Sequence, residues 1–562
     1  VNVKDIKKED IEGYDCRFAT YCKSNTSNKD LLVIKEYVVT KDGQRIPNLR
    51  MIENYKRDFY VTHEAHRNHK QKKEYEEEKK LKKFTCTQAE LPAAVARALG
   101  MPGVKFPLKQ LANSPYLYGA DIHTTSLIKK QYQDRWKPCI GPNSTVAVMD
   151  IETDVIDGTE EPIAITLSFK ERVYTVVSKR WIGSMVDPIG KIHEAIDTYL
   201  AEEKQSRNIT FEVEMLDNAG ALCKAVFDKA HKWMPDIVCY WNINFDLPRI
   251  MKTLIQYNYS LDDTFSDPSV PFEYRFFKYT EGPSQKVTQS GKVLPLHWTE
   301  RWHTVKCPAS FYLLDAACVY RRLRLAKGQE PGYSLDAVLQ RNIKRTKLKF
   351  KELEAVSKLE WHVQMQQRYK AEYVAYNIFD CIGVELLDEK TGDLSQAFAA
   401  LCELSDFGDF KSNPRRIIND LNYFYRENGK VIASCPPELV EELDKHVVDM
   451  TNWIVTLPAH LSDDNGLAII RELPSVKAMM RIFLADLDIE GTYPNIESTV
   501  NISKETTIRE LSCIDGVPLN LQRFIGINLT GGTTNAIEIC QDAFHLPSPS
   551  RWLEEYKKEM AA

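Results

Sequence analysis

Acidic side chains stand at three places where their spacing could support metal-assisted chemistry. Asp150 and Glu152 are two residues apart in TVAVMDIETDV. On a strand that spacing turns both carboxylates to one face, where they can share a metal from a rigid support. Asp246 closes WNINFD, after a hydrophobic run, with Asn242 four residues earlier and Phe245 beside it. The end of a buried strand is where open α/β sheets gather their ligands. Tyr376 and Asp380 are four apart in YNIFD and so share a helical face. Each pattern also has an ordinary reading: two solvated carboxylates on an edge strand, a helix N-cap ahead of Leu-Pro at Asp246, and a structural Tyr–Asp pair on a helix.

The elements that must position these groups are visible in the hydrophobic pattern. TVAVMDIETDV is followed by AITLSF and VYTVV, three β-rich runs separated by charged turns. Helical periodicity follows in GKIHEAIDTYLAEE and NAGALCKAVFDKAHKWM, and then IVCYWNI reads as another buried strand. Strands alternating with helices predict an α/β unit. YVAYNIFDCIGVELLDEKTGDL predicts one helix ended by Thr-Gly. Before these elements, LLVIKEYVV predicts a strand and LPAAVARALG a helix, which makes residues 1–140 an N-terminal α+β domain. The charged stretch from Arg67 to Lys83 has Lys and Glu at helical spacing and reads as a solvated helix face. Residues 274–305 alternate β-prone runs with Gly, Pro and Ser, the pattern of a protruding hairpin. The last helix, in PSRWLEEYKKEM, carries an apolar side that favours a partner.

Composition narrows the class without naming it. At 562 residues the chain is too long for one core, so three or four units of about 100–200 residues each are expected. No run approaches the ~18 apolar residues of a membrane span, and VNVKDIKKED lacks the apolar core of a secretory signal. Thirteen cysteines stand singly, as reduced thiols do. A cytosolic location and no membrane partner follow as expectations. The net charge of −5 gives no overall pull toward nucleic acid.

Taken in order, D-x-E, N-x-x-F-D and Y-x-x-x-D resemble the three exonuclease motifs of the DEDDy group of DnaQ-like nucleases. The resemblance implies that Asp150, Glu152, Asp246 and Asp380 hold two Mg²⁺ or Mn²⁺ ions, hard cations that call for oxygen ligands. Ions about 3.5–4 Å apart would stabilise the attacking and leaving oxygens of a phosphodiester. It also implies that the Tyr376 hydroxyl positions the attacking water. Asn242 and Phe245 become substrate contacts, and Phe276 and Phe277 of the hairpin are candidates for base stacking or for core packing. Lys347, in KRTKLKF, is either a phosphate or water contact or an ordinary surface lysine.

Further on, LADLDIEGTYPNIESTVNISKETT resembles the first polymerase motif of family B DNA polymerases, and most closely the T-even-type phage replicative enzymes. Asp488 would then be a palm metal ligand, and Tyr493 the side chain that crowds the sugar 2′ position. Gly491-Thr492 and Asn495 depart from the usual Ser-Leu-Tyr-Pro-Ser, and WNINFD is one residue shorter between Asn and Phe than in many relatives. Neither the K-x-x-x-N-S-x-Y-G helix nor the D-T-D turn is found.

The expected organisation is an α+β N-terminal domain (1–140), an α/β RNase H-like 3′→5′ exonuclease domain (141–394), a return to the N-terminal domain (395–475), and an incomplete α+β palm (476–562). The expected function is proofreading within a replicative polymerase, with a second polypeptide supplying fingers, remaining palm and thumb. Its partners would be a single-stranded 3′ end, primer–template DNA and a sliding clamp, in a host cytosol if phage-encoded. Two alternatives differ in class: a non-catalytic subunit that binds DNA or a polymerase, and a stand-alone ribonuclease of the same fold.

Overall fold

The run LLVIKEYVV forms the middle of a three-stranded antiparallel sheet, with Asp30–Thr40 between Ile11–Lys23 and Arg45–Glu53. The middle strand is buried along its whole length, as suits its β-branched run, but that burial takes Lys35 and Glu36 inside. Both are partnered: Lys35 Nζ donates to the Met234 carbonyl at 2.6 Å, and Glu36 accepts from Asn48 at 2.8 Å and from the Tyr132 hydroxyl. Without such partners each buried charge would cost several kcal/mol, on the order of the desolvation penalty for one ion.

The structure, a computed structural model, describes residues 3 and 6–435 except 71, 102, 104–105, 184, 288–291, 326–327, 351–352 and 354–356, together with 526–528 and 533–535. The chain divides into two units, residues 1–449 and 450–562. In the second, Gly526–Asn528 pairs antiparallel with Thr533–Asn535. The palm-like motif with Asp488 and Tyr493, the final apolar-sided helix and residues 436–475 of the expected linker lie outside the described residues.

One expectation fails here. The charged stretch 67–83 is not a helix: it holds the short strand Tyr75–Glu77, one 3₁₀ turn and the start of Leu81–Thr87. Leu81–Thr87 pairs with Lys56–Thr62, and Tyr75–Glu77 pairs with Lys430–Ile432 from far along the chain. The Lys–Glu spacing that suggested a helix still yields ion pairs, Lys73 with Glu76 and Lys80 with Glu77. Backbone partners from distant strands outweigh a helical preference that such pairs raise by only a few tenths of a kcal/mol, about 0.2–0.5 each.

The β-rich runs from residue 146 build a mixed six-stranded sheet. Its order is Thr210–Leu216, Arg172–Ser178, Pro162–Phe169, Val146–Thr153, Ile237–Tyr240 and Tyr312–Asp315. Pro162–Phe169 runs antiparallel to both its neighbours, while the other three pairings are parallel. Val146–Thr153 is therefore a central strand. Its alternation divides two cores: Ala147, Met149 and Ile151 pack with helices Ala219–Trp233 and Ile243–Gln256, and Val148 packs with Pro188–Tyr199, Leu335–Ile343 and Lys370–Thr391.

Lys370–Thr391, 22 residues long, is buried over most of its circumference and ends at Gly392 in a left-handed conformation, the termination that Thr-Gly predicts. Gly383 on this helix lets Leu339 come close, since a Cβ there would lie 3.1 Å from Leu339 Cδ1. The segment 274–305 carries two short antiparallel ladders, Lys278–Thr280 with Thr304–Lys306 and Gln285–Val287 with Val293–Pro295. Val287 and Val293 are exposed on the second. Among the described residues no helix is long and apolar enough to cross a membrane.

Candidate metal centre

Asp150 and Glu152 lie on the central strand, opposite Thr166 and Ala164 of its antiparallel neighbour. They point to the face that the long helix covers, because they share the parity of Val148. From that helix Tyr373, Tyr376, Asn377 and Asp380 face the strand at positions i, i+3, i+4 and i+7. One carboxylate oxygen each from Asp150, Glu152 and Asp380 lies within 4.8 Å of the others. A strand and a helix locked by packing thus bring Asp380 to Asp150 and Glu152, more than two hundred residues away in sequence.

Each acid has one oxygen held by a neighbour among the described residues. Asn377 Nδ2 donates to Asp150 Oδ2 at 2.7 Å, and the Tyr373 hydroxyl donates to Glu152 Oε2. Lys347 Nζ donates to Asp380 Oδ2 and, at 2.9 Å, to the Tyr376 hydroxyl oxygen. Lys347 itself is fixed by its backbone N–H, which donates to Asp336 Oδ1 at 2.7 Å. Its surface reading is corrected: the side chain is 27% exposed and its head group belongs to the carboxylate cluster. The other oxygen of Asp380, Oδ1, is buried and has no hydrogen-bond partner among the described residues. A buried acceptor left unpaired is costly, and a cation would satisfy it.

Asp246 takes a different place. Its helix, Ile243–Gln256, starts at Asn242, and the Ile243 N–H is held by Asp315 Oδ2 at 3.1 Å. Asp246 therefore falls in the first turn, not at the N-cap, and Pro248 lies inside the helix. The N-cap reading of Asp246 is overturned because Asp315, from the neighbouring strand end, anchors the helix earlier. Asp246 is buried and feels the charges of Asp150 and Glu152, yet it stands outside the group of three. Asn242 makes no side-chain cap bond. Phe245 is exposed, with the Arg249 guanidinium 3.8 Å above its ring. Phe276 and Phe277 go to packing: Phe277 stacks on Phe265 at 4.1 Å between centroids, and Phe276 packs beside Leu31 and Val33.

The electrostatics follow from crowding acids in a dry place. Burial first, then the neighbouring Asp380, pushes the Asp150 carboxyl up to about 7. Burial and then Asp150 push Glu152 and Asp246 well above the usual carboxylate range. Burial also raises Asp380, against the opposing pull of Lys347. Burial would lower the Lys347 ammonium, but Asp380, Tyr376 and Asp150 together outweigh it and raise it well above its ordinary value. One ammonium cannot balance four carboxylates. An all-oxygen donor set that resists ionising alone fits a hard divalent cation, which supplies the missing positive charge.

A carboxyl whose folded value is raised from 3.8 to about 7 adds stability that is fully present below pH 3.8 and is lost as pH rises to about 7. In EDTA, Asp150→Asn should therefore melt several degrees above the unsubstituted protein at pH 8, with the gap closing toward pH 5. Thermal unfolding followed at both pH values checks this.

Two residues beside the acids, Tyr373 and Asn377, had no place in the sequence reading. The spacing 373, 376, 377, 380 was the available signal, since all four positions share the helical face already assigned to Tyr376 and Asp380. A scan against protein-family models finds no match to this chain, and a search of curated proteins finds none.

Proposed function

We propose that this chain is the 3′→5′ exonuclease-bearing part of a family B DNA polymerase, and that Asp150, Glu152, Asp246 and Asp380 form its nuclease site. The carrying observation is the convergence of Asp150, Glu152 and Asp380, with Lys347 bridging Asp380 to Tyr376. The sheet supports an RNase H-like reading as well. Counted from the central strand, and setting aside the edge strand Thr210–Leu216, its order is 3-2-1-4-5 with the second strand antiparallel. The polymerase half of the reading rests on the motif around Asp488 and Tyr493.

Mg²⁺ or Mn²⁺ held by the four carboxylates would supply an activated water and charge stabilisation for phosphodiester hydrolysis. The chain's own groups do the rest. The Tyr376 oxygen accepts from Lys347, which fixes the phenol beside Asp380 and leaves its O–H as a donor toward Asp380 or an incoming oxygen. Lys347 carries a positive charge to the same spot. Phe245, exposed one residue from Asp246, offers a face on which a frayed base can stack. A mispaired primer end costs less to unpair, so it reaches such a cleft more readily.

Substrate choice tests the reading against a ribonuclease of similar architecture. With Mg²⁺ present, single-stranded DNA should be shortened from its 3′ end much faster than RNA of the same sequence, read on a denaturing gel. Equal or faster loss of RNA would move the assignment to RNA trimming.

A further inference from the structure

The helix Lys358–Arg368 buries little of itself, with only Met365 and Gln366 buried, yet two of its polar side chains reach the neighbourhood of Glu152. His362 Nδ1 lies 2.8 Å from the Tyr373 hydroxyl, and Gln366 Nε2 lies 3.5 Å from the same oxygen. His362 and Gln366 are four apart and share a helical face. Gln366 also grips the end of the central strand just past Glu152. Its Nε2 donates to the Thr153 carbonyl at 2.8 Å, and its Oε1 accepts from the Val155 N–H at 3.1 Å. The Tyr373 ring is seated among Trp181, Trp361 and Tyr376. Its hydroxyl donates to Glu152 Oε2.

A carboxylate that binds a cation can only accept hydrogen bonds, so the phenol proton goes to Glu152. The phenol oxygen is then left to accept from His362 and Gln366. The phenol takes one lone pair of Glu152 Oε2, which favours Oε1 as the oxygen offered to a cation.

We propose that Tyr373 is a positioning residue for the metal centre, braced by His362 and Gln366, which holds Glu152 so that a single carboxylate oxygen is presented to a divalent cation. The inference rests on the metal-dependent nuclease reading and deepens it. Neighbours that orient a metal ligand are worth roughly 10–100-fold in metal affinity. Tyr373→Phe removes one hydroxyl and keeps the ring in its aromatic seat, so it separates positioning from packing.

The experiment is titration calorimetry of Mn²⁺ into the full chain, paired with the Mn²⁺ dependence of 3′-nucleotide release. Y373F should bind Mn²⁺ about tenfold or more weakly, and its activity should largely recover at saturating Mn²⁺. H362L should weaken binding to a smaller degree, and should add nothing in the Y373F background, because both act through one phenol. Mn²⁺ affinity in Y373F equal to that of the unsubstituted chain overturns the brace while leaving the nuclease reading intact. Should Y373F fail to fold, H362L decides: measurable weakening supports the brace, and unchanged affinity overturns it. Failure of the unsubstituted chain to bind Mn²⁺ overturns both.

Discussion

Asp380→Asn should reduce Mg²⁺-dependent release of a 3′-terminal nucleotide about a thousandfold or more, because a catalytic metal contributes several kcal/mol and each 1.4 kcal/mol is about tenfold in rate. Asp380 is the member of the cluster with one oxygen already committed and one buried and unpaired. Asn keeps the shape but removes the charge, so the unpaired position loses its attraction for a cation. The substitution also takes the nearest counter-charge from Lys347. Single-turnover release from labelled single-stranded DNA at saturating Mg²⁺ measures the effect. A loss of less than about tenfold, one step on that rate scale, would remove Asp380 from the metal ligands.

The second large effect is expected at Lys347. Its ammonium donates to a carboxylate and a phenol at once, and a charge-assisted hydrogen bond is worth roughly 1.5–3 kcal/mol. Lys347→Met, which keeps the aliphatic stem, should lower the rate about 10- to 100-fold at saturating metal, the range that energy converts to. Tyr376→Phe should fall in a similar range. The double substitution should cost much less than the product of the two, because the phenol and the ammonium act on one spot. Full multiplicative loss, measured in a double-mutant cycle of single-turnover rates, would show that they work independently.

Much of the frame around the site was legible in the chain. The runs that became Val146–Thr153, Pro162–Phe169, Arg172–Ser178 and Ile237–Tyr240 are short, β-branched and bounded by turn residues. The helix Lys370–Thr391 announced both its face and its stop at Gly392. Asp150 with Glu152, and Tyr376 with Asp380, were readable because each pair is local and obeys the period of its own element. Contacts across the fold were harder. Lys347 sits in an irregular stretch whose spacing carries no orientation, so nothing local distinguished it from a surface lysine. The N-cap alternative for Asp246 stayed open in the sequence because Asp315, which holds the first N–H of its helix, lies 69 residues further on. The charged stretch 67–83 failed for the same reason: its partners, Lys56–Thr62 and Lys430–Ile432, come from elsewhere in the chain. Local charge pairing says little about a segment whose backbone is claimed by distant strands.

The most direct measurement is Mg²⁺-dependent shortening of a primer with a mispaired 3′ end by this chain alone, run beside Asp150→Ala and beside the same primer correctly paired. The expected result is loss of the terminal nucleotide by the unsubstituted chain, faster from the mispaired end, abolished by EDTA and by Asp150→Ala. Turnover that survives Asp150→Ala, or its absence in a chain that binds Mn²⁺ and DNA, would contradict a nuclease built on these carboxylates.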